Sequence, residues 1–402
     1  MFDINCPKQL KLVTLGLAIP SMIVIPKATV LVLVLMCLLF GIKRQFNPID
    51  RTIFLISILL GVLVVWQLIT LILCTDDLGS IGHIAKIGGL FIAGLMVWNI
   101  FSFEGNSQSS TSRDNIIILG VSSGVAIIIF AAVYIDYTGE ALWSSYYGDP
   151  FTTLSNSAVV IGLSVWSLVA VLSRRSIVLV AIVLVFVFGL LCFLSSLAAI
   201  LSVLIGVAVL LARRLGKRRG GILIAVLAAS FVIVSPYLVK HSPVDGTELF
   251  ASHDEQSVVP RSVYHRLAMW SFVQERIEEK PWLGWGFSSS RSLPQEGRRL
   301  VPNMEIMPLH PHNIALQARL ELGLPGALIL AGLVFAVFYR LATFTDDGWR
   351  SGIAMAPAAA WLFVANVSYG MWQSWWIALA FLIAVIMKVA MADEAHAENI
   401  PG

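Results

Sequence analysis

Apolar runs about as long as a bilayer is thick recur along most of the chain, and they constrain its fold more than any other feature. Apolar residues make up 58% of the sequence and charged residues only 13%, too few to cover a water-soluble surface. Backbone groups in lipid must be satisfied within their own segment, so each run predicts a helix. The sequence therefore predicts an all-α polytopic membrane protein of about twelve spans. The predicted spans are 10–26, 28–42, 53–74, 82–103, 116–135, 156–172, 176–194, 197–212, 222–239, 325–341, 353–370 and 372–390.

The basic residues between these spans predict their orientation. If the chain crosses twelve times, the basic positions in the short loops all fall on one side, and the opposite loops are acidic or neutral. Because cytoplasmic loops carry an excess of Lys and Arg, both termini are predicted to be cytoplasmic. The basic positions are Lys43, Arg44, Arg51, Arg113, Arg174, Arg175, the run 213–219, Arg340, Arg350 and Lys388.

One long loop interrupts the short connections. Residues 240–311 contain no spanning run and fall on the outer side, and a polar loop of this length is usually functional. The predicted organisation is nine membrane helices in 1–239, an external loop with short interfacial helices in 240–311, a short external helix plus the last three membrane helices in 312–391, and a cytoplasmic tail in 392–402.

Several classes of protein and site are excluded by composition. The net charge of +3 is small and dispersed, which does not suggest nucleic-acid binding. The four cysteines show no CxxC or Cys/His spacing, so we expect no disulfide framework, no metal site and no cofactor. The apolar run that begins near Leu10 lacks a cleavage site, which favours a retained first span over a signal peptide.

A polar cluster stands at the start of the tenth predicted span, in "MPLHPHNIALQARLELGLPGALIL" (307–330). Pro311 suits the first turn of a short helix over 311–322, Gly323 can end that helix, and Pro325 can start the membrane helix. His312 and Asn313 would lie at its N-terminus, where the helix dipole attracts anions such as phosphate and disfavours a protonated imidazole. A neutral His312 could then act as a general base. The alternative is that the histidines at 310 and 312 are interfacial residues capping a helix.

The second informative stretch is "VYHRLAMWSFVQERIEEKPWLGWGFSSS" (263–290), which reads as an amphipathic interfacial helix ending before Pro281. Arg266 lies four residues before Trp270, so the two side chains can share a face. A guanidinium binds phosphate through two parallel hydrogen bonds, which makes Arg266 a candidate phosphate ligand. The alternative is a solvated arginine paired with Glu275 or another carboxylate of the loop.

Together these stretches resemble the O-antigen ligase and polymerase superfamily of bacterial envelope glycosyltransferases. One motif of that family is a His, then Asn, Ser or Gln, nine residues, and Gly-x-x-Gly, here from His312 to Gly326. The other is R-x-x-x-W followed by P-x-L-G-W-G, here from Arg266 to Gly286. The long outer loop before the last three spans also fits the family. The motifs cover about 261–326, and the topology covers the whole chain.

This resemblance implies a GT-C-like fold in the bacterial inner membrane with a periplasmic active site. It implies transfer of a glycan from undecaprenyl diphosphate to an acceptor hydroxyl, with membrane lipids around it and no metal. By the same resemblance His312 orients or deprotonates the acceptor, Arg266 binds the leaving diphosphate, and Asn313 belongs to the substrate site.

The chain also departs from the family pattern. Many members carry Ser-Arg-Gly at the outer end of the seventh and eighth spans, and here Ser196 stands where that arginine would supply a second diphosphate contact. Lys86, Arg319 and Arg291 are the candidates to replace it. For Lys86 the alternative is that it simply extends its ammonium to the membrane surface.

The leading function is therefore an O-antigen ligase that uses a lipid A-core acceptor. The nearest alternative is a polymerase of O-antigen or exopolysaccharide repeats, which shares the mechanism and differs in the acceptor. A transporter of polyprenyl-linked glycan is a third hypothesis, but it would need charged residues in mid-membrane, and the spans are nearly free of them. A membrane scaffold is a fourth, but it would not need an external His/Arg cluster.

Overall fold

A computed structural model describes residues 7–41, 51–75, 78–101, 107–138, 150–242, 246–251, 261–295, 297–301, 304–307 and 309–392. Helices dominate these ranges. They are α1 Pro7–Val24, α2 Thr29–Gly41, α3 Arg51–Cys74, α4 Ile81–Ile100, α5 Ser107–Thr138, α6 Pro150–Leu172, α7 Ile177–Phe193, α8 Leu197–Lys240, α9 Gly246–Ala251, α10 Arg261–Glu279, α11 Ile314–Thr343, α12 Gly348–Ala365 and α13 Ser374–Ala390. Short 3-10 turns occupy Pro26–Ala28, Leu78–Ser80 and Ser289–Arg291.

Every predicted span coincides with one of these helices or with part of one. Seven helical segments are long and apolar enough to cross a membrane, and four more apolar helices are shorter. The helical, polytopic class is thus supported, while the count of twelve crossings stays a prediction. The expectation of an all-α chain needs one correction, because strands β1 (Arg299–Val301) and β2 (Met304–Glu305) pair as an antiparallel hairpin in the long loop.

The predicted eighth and ninth spans form one helical segment, α8, that folds back on itself. A straight helix of its 44 residues would extend about 66 Å. Instead, a Cβ placed on Gly220 would lie 3.7 Å from the carbonyl oxygen of Ala212. Ile205 of the first arm and Phe231 of the second also line the same cavity. The two arms therefore lie side by side as a helical hairpin, with its turn in the basic run 213–219.

The basic residues of the short loops gather at one end of the bundle, which we call the cationic end. Arg174 donates to Asp114 at 2.5 Å and to the carbonyl of Ala390 at 2.7 Å. Lys388 bonds the carbonyl of Trp98 at 2.7 Å, and Lys11 bonds the carbonyl of Ile100 at 2.6 Å. The remaining members are Arg213, bound to Ser351 and to the carbonyl of Ala342, and Arg350, bound to the carbonyl of Met391. The shared side of these cations is confirmed, whereas its assignment to the cytoplasm stays a prediction; Lys43, Arg44 and residues 393–402 lie outside the described residues.

The outer surface of the bundle is apolar, as expected of a protein whose solvent is lipid. In the apolar stretch of the central helix α6, 89% is buried inside the protein, whereas the corresponding shares for the two arms of α8 are only 33% and 22%. Large apolar side chains such as Val185 and Leu227 are more than half exposed. A soluble protein rarely exposes so continuous an apolar surface. The polar chemistry is therefore expected at the ends of the helices.

Candidate functional site

The two motif segments pack against each other, backbone to backbone, at an elbow in α11. Gly323 interrupts the helix with φ 64° and ψ −161°. The amide groups of Trp285 and Gly286 donate to the carbonyls of Leu320 and Glu321 at 2.8 and 3.0 Å. The amide of Leu324 donates to the carbonyl of Trp282 at 3.1 Å. A side chain on Gly323 would clash with that Trp282 carbonyl, so glycine permits the contact.

The predicted short helix before the elbow is present, but its start was predicted three residues too early. α11 begins at Ile314 and not at Pro311. Asn313 is its N-cap, and its side chain accepts a hydrogen bond from the amide of Leu316 at 3.0 Å. An Asn cap satisfies an otherwise free amide, which decides the start against the proline. His312 therefore lies just before the helix, with a positive φ of 52°.

His312 is fixed by the segment between α12 and α13. Its Nδ1 lies 2.5 Å from the carbonyl oxygen of Ser368. A carbonyl only accepts, so Nδ1 carries the proton and Nε2 keeps a lone pair. Burial lowers the pKa of His312; the bond to Ser368 opposes this, and the charges of Arg266 and His265 add to it. His312 is thus a neutral imidazole with a free proton-accepting nitrogen.

His310 supports His312 from behind. The two rings lie 4.3 Å apart, edge to face, and Nδ1 of His310 accepts the backbone amide of His312 at 3.3 Å. The side-chain amide nitrogen of Gln373 lies 3.2 Å from Nε2 of His310. Burial lowers the pKa of His310 to about 3, and the neighbouring His312 and Arg291 contribute to that shift. His310 is therefore a neutral positioning group.

Arg266 is a half-buried cation without a carboxylate partner among the described residues. Of its predicted alternative partners, Glu275 pairs with Arg298 instead, while Asp245, Asp254, Glu255 and Glu296 of the loop lie outside the described residues. Burial lowers the pKa of the Arg266 guanidinium, and Tyr369 partly offsets this. The charge of Arg266 contributes to the lowered pKa of His312, so the two predicted site residues interact electrostatically. A partly desolvated guanidinium favours binding of an anion.

α10 is anchored to the His312 segment. The indole Nε1 of Trp270 donates to the carbonyl of Pro311 at 2.8 Å. The amphipathic helix was predicted to end before Pro281, and α10 confirms this by ending at Glu279. Its apolar side packs on the first part of α11 in a small separate core. That core contains Met269, Phe272, Val273, Ile277, Leu293, Ile306, Met307, Leu316 and Leu320.

The loop 366–373 contributes residues that the sequence reasoning missed. The predicted span 353–370 was too long, because α12 ends at Ala365. Asn366 stops it there by bonding the carbonyl of Leu362 at 2.8 Å and the amide of Ala315 at 3.3 Å. The loop then presents Tyr369, whose hydroxyl donates to Asn156 at 2.7 Å and whose pKa is raised by burial and lowered by Arg266. The polar letters of "NVSYGMWQ" inside an apolar stretch were the available signal.

Glu321 is a second residue that the sequence reasoning missed, and it ties the loops together. Its side chain is fully buried. It accepts hydrogen bonds from the amide of Ser288 at 3.0 Å, from Gln317 at 3.0 Å, from the indole of Trp372 at 2.6 Å and from the hydroxyl of Ser290. Four neutral donors compensate the desolvation of this carboxylate, so it holds the 281–291 and 366–373 segments in one geometry.

An apolar groove leads from the membrane-facing surface to this site. It has a volume of about 590 Å³ and runs between the arms of α8 and helices α11 and α12. Its apolar part includes Leu227 and Phe338, and Asn313, Trp270 and Ser271 lie at its polar end. Leu227 and Leu238, which line it, are also exposed on the outer surface, so the groove is open to the side. A flexible apolar chain could lie here with its polar head beside Asn313.

The other predicted site residues are less closely connected to His312. Arg319 lies on the first part of α11 with Nη1 buried and unbonded among the described residues, and no contact joins it to His312 or Arg266. Lys86 is exposed on α4 and acts electrostatically on His83. Arg291, in contrast, acts on both His310 and His83. Ser196 is the N-cap residue of α8, buried, and its hydroxyl has no partner among the described residues.

The fold and this arrangement define a class of protein: a helical membrane protein with a polar His/Arg site where an apolar groove meets one end of its bundle. The family model described as O-Antigen ligase matches residues 182–331, which include α8, α10, both motifs and the elbow. The chain is therefore similar to the O-antigen ligase superfamily over this region, and the resemblance expected from its motifs is confirmed.

Curated relatives agree with this assignment. Proteins carrying the name "Putative polysaccharide ligase" occur in Rickettsia felis, Rickettsia conorii and Rickettsia typhi. Each is 25% identical to this chain. The alignments cover 83%, 83% and 84% of this chain and 80%, 79% and 81% of the relatives. No solved structure matches the chain.

Proposed function

We propose that this protein transfers a glycan from undecaprenyl diphosphate to a saccharide hydroxyl of lipid A-core, on the periplasmic face of a bacterial inner membrane. One observation carries the proposal. His312, whose Nε2 has no partner among the described residues, and Arg266, which has no carboxylate partner there, directly precede Asn313 and Leu267, which line a groove suited to an isoprenoid chain. The family match and the names of the relatives support a ligase type of function.

The chemistry follows from these residues. The acceptor hydroxyl oxygen attacks the anomeric carbon of the lipid-linked sugar, and the bond from that carbon to the phosphate oxygen breaks. The hydroxyl proton moves to Nε2 of His312, a transfer worth about 10²–10⁴-fold in rate. The diphosphate leaves with the polyprenyl chain and gains negative charge, which Arg266 stabilises. Tyr369, bonded to Asn156, interacts electrostatically with that guanidinium.

A second cation for the diphosphate is best supplied by Arg291. It stands on the 289–291 turn and its charge acts on His310, whereas no such effect on the His310–His312 pair is found for Lys86 or Arg319. This assignment replaces the family arginine whose position Ser196 occupies. Metal independence remains part of the proposal: the described residues contain no cluster of three metal-ligating side chains, and arginines can neutralise a diphosphate.

The first experiment changes the base without changing the backbone. His312→Asn keeps a residue that tolerates positive φ, so the protein should insert and fold. We expect kcat for glycan transfer to fall about 10²–10⁴-fold. The matched control is His241→Asn, at an exposed histidine after α8. Normal transfer by His312→Asn would defeat the catalytic assignment.

The second experiment changes the cation without changing its charge. Arg266→Lys keeps the positive charge but loses the two-pronged geometry that suits a diphosphate. We expect kcat/KM for the lipid-linked donor to fall about 10- to 100-fold, because this is the effect of losing one charge-assisted hydrogen bond. Arg298→Lys, at an exposed ion pair, should remain near wild type. Full activity of Arg266→Lys would remove the diphosphate role.

The acceptor decides between a ligase and a polymerase. In a strain that lacks the protein, loss of all glycan on lipid A-core with accumulation of long lipid-linked chains identifies the ligase. A core that carries a single repeat identifies the polymerase instead. Gel separation of the envelope glycolipids distinguishes the two outcomes.

A further inference from the structure

A second pocket, which we call the Lys280 pocket, lies apart from the groove and from His312. It has a volume of about 460 Å³ and lies between the end of α3 and the segment that follows α10. Its lining includes Thr75, Lys280, Trp285, Ser289, Ser292 and Leu293, none of which lines the groove. No step of the proposed transfer uses these residues.

The cation of this pocket pairs with no carboxylate in the part of the chain that the structure describes. Lys280 follows the last residue of α10, and its Nζ lies 4.0 Å from the ring centroid of Trp285. No carboxylate among the described residues bonds this ammonium, and Lys280 is the one charged residue among those described that line the pocket. The indole is in turn fixed by donating to the carbonyl of Arg276 at 2.8 Å. The ammonium is therefore held over a rigid ring and remains available to a ligand.

A buried serine lines the same pocket. Ser289 is only 8% exposed, and its Oγ has no hydrogen-bond partner among the described residues. A buried hydroxyl without a partner carries a cost of about 1–3 kcal/mol, so it needs a compensating function. Ser292 and Thr75 add two more hydroxyls to the lining. The Thr75 and Ser292 hydroxyls already donate to the carbonyls of Leu71 and Ser289, so they can accept from sugar hydroxyls, while the ammonium and Ser289 can donate to a phosphate.

We propose that the Lys280 pocket binds a phosphorylated saccharide, with Lys280 and Ser289 on the phosphate and Trp285 flanking the sugar. The volume exceeds that of a phosphate alone and lies in the range of small-molecule sites. The described lining offers Leu293, Pro294 and Cys74 as its apolar residues, too short a surface for a lipid tail. The identification of this saccharide as part of the glycan acceptor rests on the proposed function. The chemistry of the pocket is independent of that function.

The experiment measures ligand-dependent thermal unfolding of the full chain in detergent. The probes are glucose 6-phosphate, glucose, inorganic phosphate and a short-chain phosphatidylglycerol. We expect glucose 6-phosphate to stabilise the protein saturably and more tightly than the other three. Lys280→Gln should weaken that binding about tenfold, the loss of one charge-assisted contact. Ser289→Ala should also weaken it without lowering the unliganded unfolding temperature, because its Oγ has no partner among the described residues.

Lys240→Gln is the matched control, since it removes one exposed lysine whose partner is Glu278, outside the pocket. Equal weakening by Lys240→Gln, equal binding of phosphatidylglycerol or inorganic phosphate, or no saturable binding would each overturn the proposal. If the protein transfers glycan through His312 but does not bind glucose 6-phosphate, only the proposal for the Lys280 pocket is wrong. Intact binding without any transfer activity defeats the proposed function alone.

Discussion

His312 holds its position through backbone geometry as much as through its side chain. A positive φ is uncommon outside glycine, although His and Asn tolerate it better than most residues. Here it turns the imidazole away from the axis of α11 and toward the Ser368 carbonyl. That bond fixes the tautomer, and the tautomer determines which nitrogen can accept a proton. The orientation of His312 is thus set by a loop that lies 56 residues further along the chain.

The neighbouring His310 makes stability depend on pH. Its pKa is about 3 in the folded protein and about 6.5 when unfolded, so below pH 6.5 only the unfolded chain takes up this proton. The free energy of unfolding should therefore fall as pH falls, by about 2 kcal/mol from this group between pH 6.5 and 5. His310→Asn retains an acceptor for the His312 amide and should flatten this slope in detergent unfolding scans.

His312 itself contributes in the same direction, so the slope in His310→Asn should be reduced and not abolished. The exposed His241→Asn serves as the reference. An unchanged pH slope in His310→Asn relative to that reference would show that His310 is not held neutral.

At the scale of elements, the decisive unit is the elbow where α11 meets the segment after α10. Three backbone hydrogen bonds cross it, and the indole of Trp66 adds a fourth to the carbonyl of Leu322 at 2.9 Å. Gly284, with φ 75°, lies so close that a Cβ there would sit 2.7 Å from the backbone of Glu321. The two motifs are thus one packed joint that links α3, α10 and α11.

Gly323→Ala tests this joint. A Cβ would lie 2.0 Å from the Trp282 carbonyl, in a backbone region that only glycine adopts readily. We expect a loss of at least about 1–3 kcal/mol of stability and a large loss of transfer. Gly332→Ala is the control, because the nearest atom there is 3.8 Å away, and a helical Gly→Ala change is neutral or stabilising by about 1 kcal/mol. Equal unfolding temperatures for the two variants would show that the close backbone contact at Gly323 does not stabilise the protein.

The elbow was predictable from sequence, and other boundaries were not, for physical reasons. Gly323 followed by Pro325 has few conformations other than a break, so two residues were enough. The predicted start of α11 was wrong because Pro311 is compatible with a first helical turn but gains nothing from it. Asn313 gains a hydrogen bond when it caps the helix, so the helix starts after Asn313. The end of α12 was missed because apolar residues continue past Asn366, and its stop depends on a bond to Ala315, which is distant in sequence.

Some residues of the candidate site were likewise predictable from sequence, and others were not. His312 and Arg266 stand in recognisable local patterns, so the sequence pointed to both. Tyr369, Glu321 and the Ser368 carbonyl act through long-range contacts, and no local spacing reveals those. The strands Arg299–Val301 and Met304–Glu305 are too short for an alternating pattern to be seen.

At the scale of the whole molecule, the apolar groove connects the bilayer to the site. Its walls come from α8, α11 and α12, which the chain brings together only as a complete bundle. Each methylene of a lipid chain buried there would contribute about 0.8 kcal/mol, so its length sets much of the affinity for a long-chain donor. The groove therefore predicts that donor recognition depends on the tail as well as on the diphosphate.

Ala228→Trp should test that dependence, because Ala228 lines the groove between the arms of α8. Displacing about two or three methylenes should raise KM for a long-chain polyprenyl donor about tenfold or more. A donor with a short water-soluble tail should be unaffected. Leu223→Trp, on the exposed outer face of the same arm, is the control. Similar KM values for both variants with the long-chain donor would exclude the groove as the tail site.

Arg213 also has a consequence for how the protein is assembled during synthesis. Its guanidinium is fully enclosed and bonds only groups from 342 and 351, which leave the ribosome well over a hundred residues later. Until those residues emerge, the newly inserted α8 hairpin carries a cation that cannot settle into its final place. The hairpin therefore docks late in biogenesis, when the C-terminal quarter of the polypeptide reaches the membrane. The apolar groove, which the hairpin helps to form, is completed at the same stage.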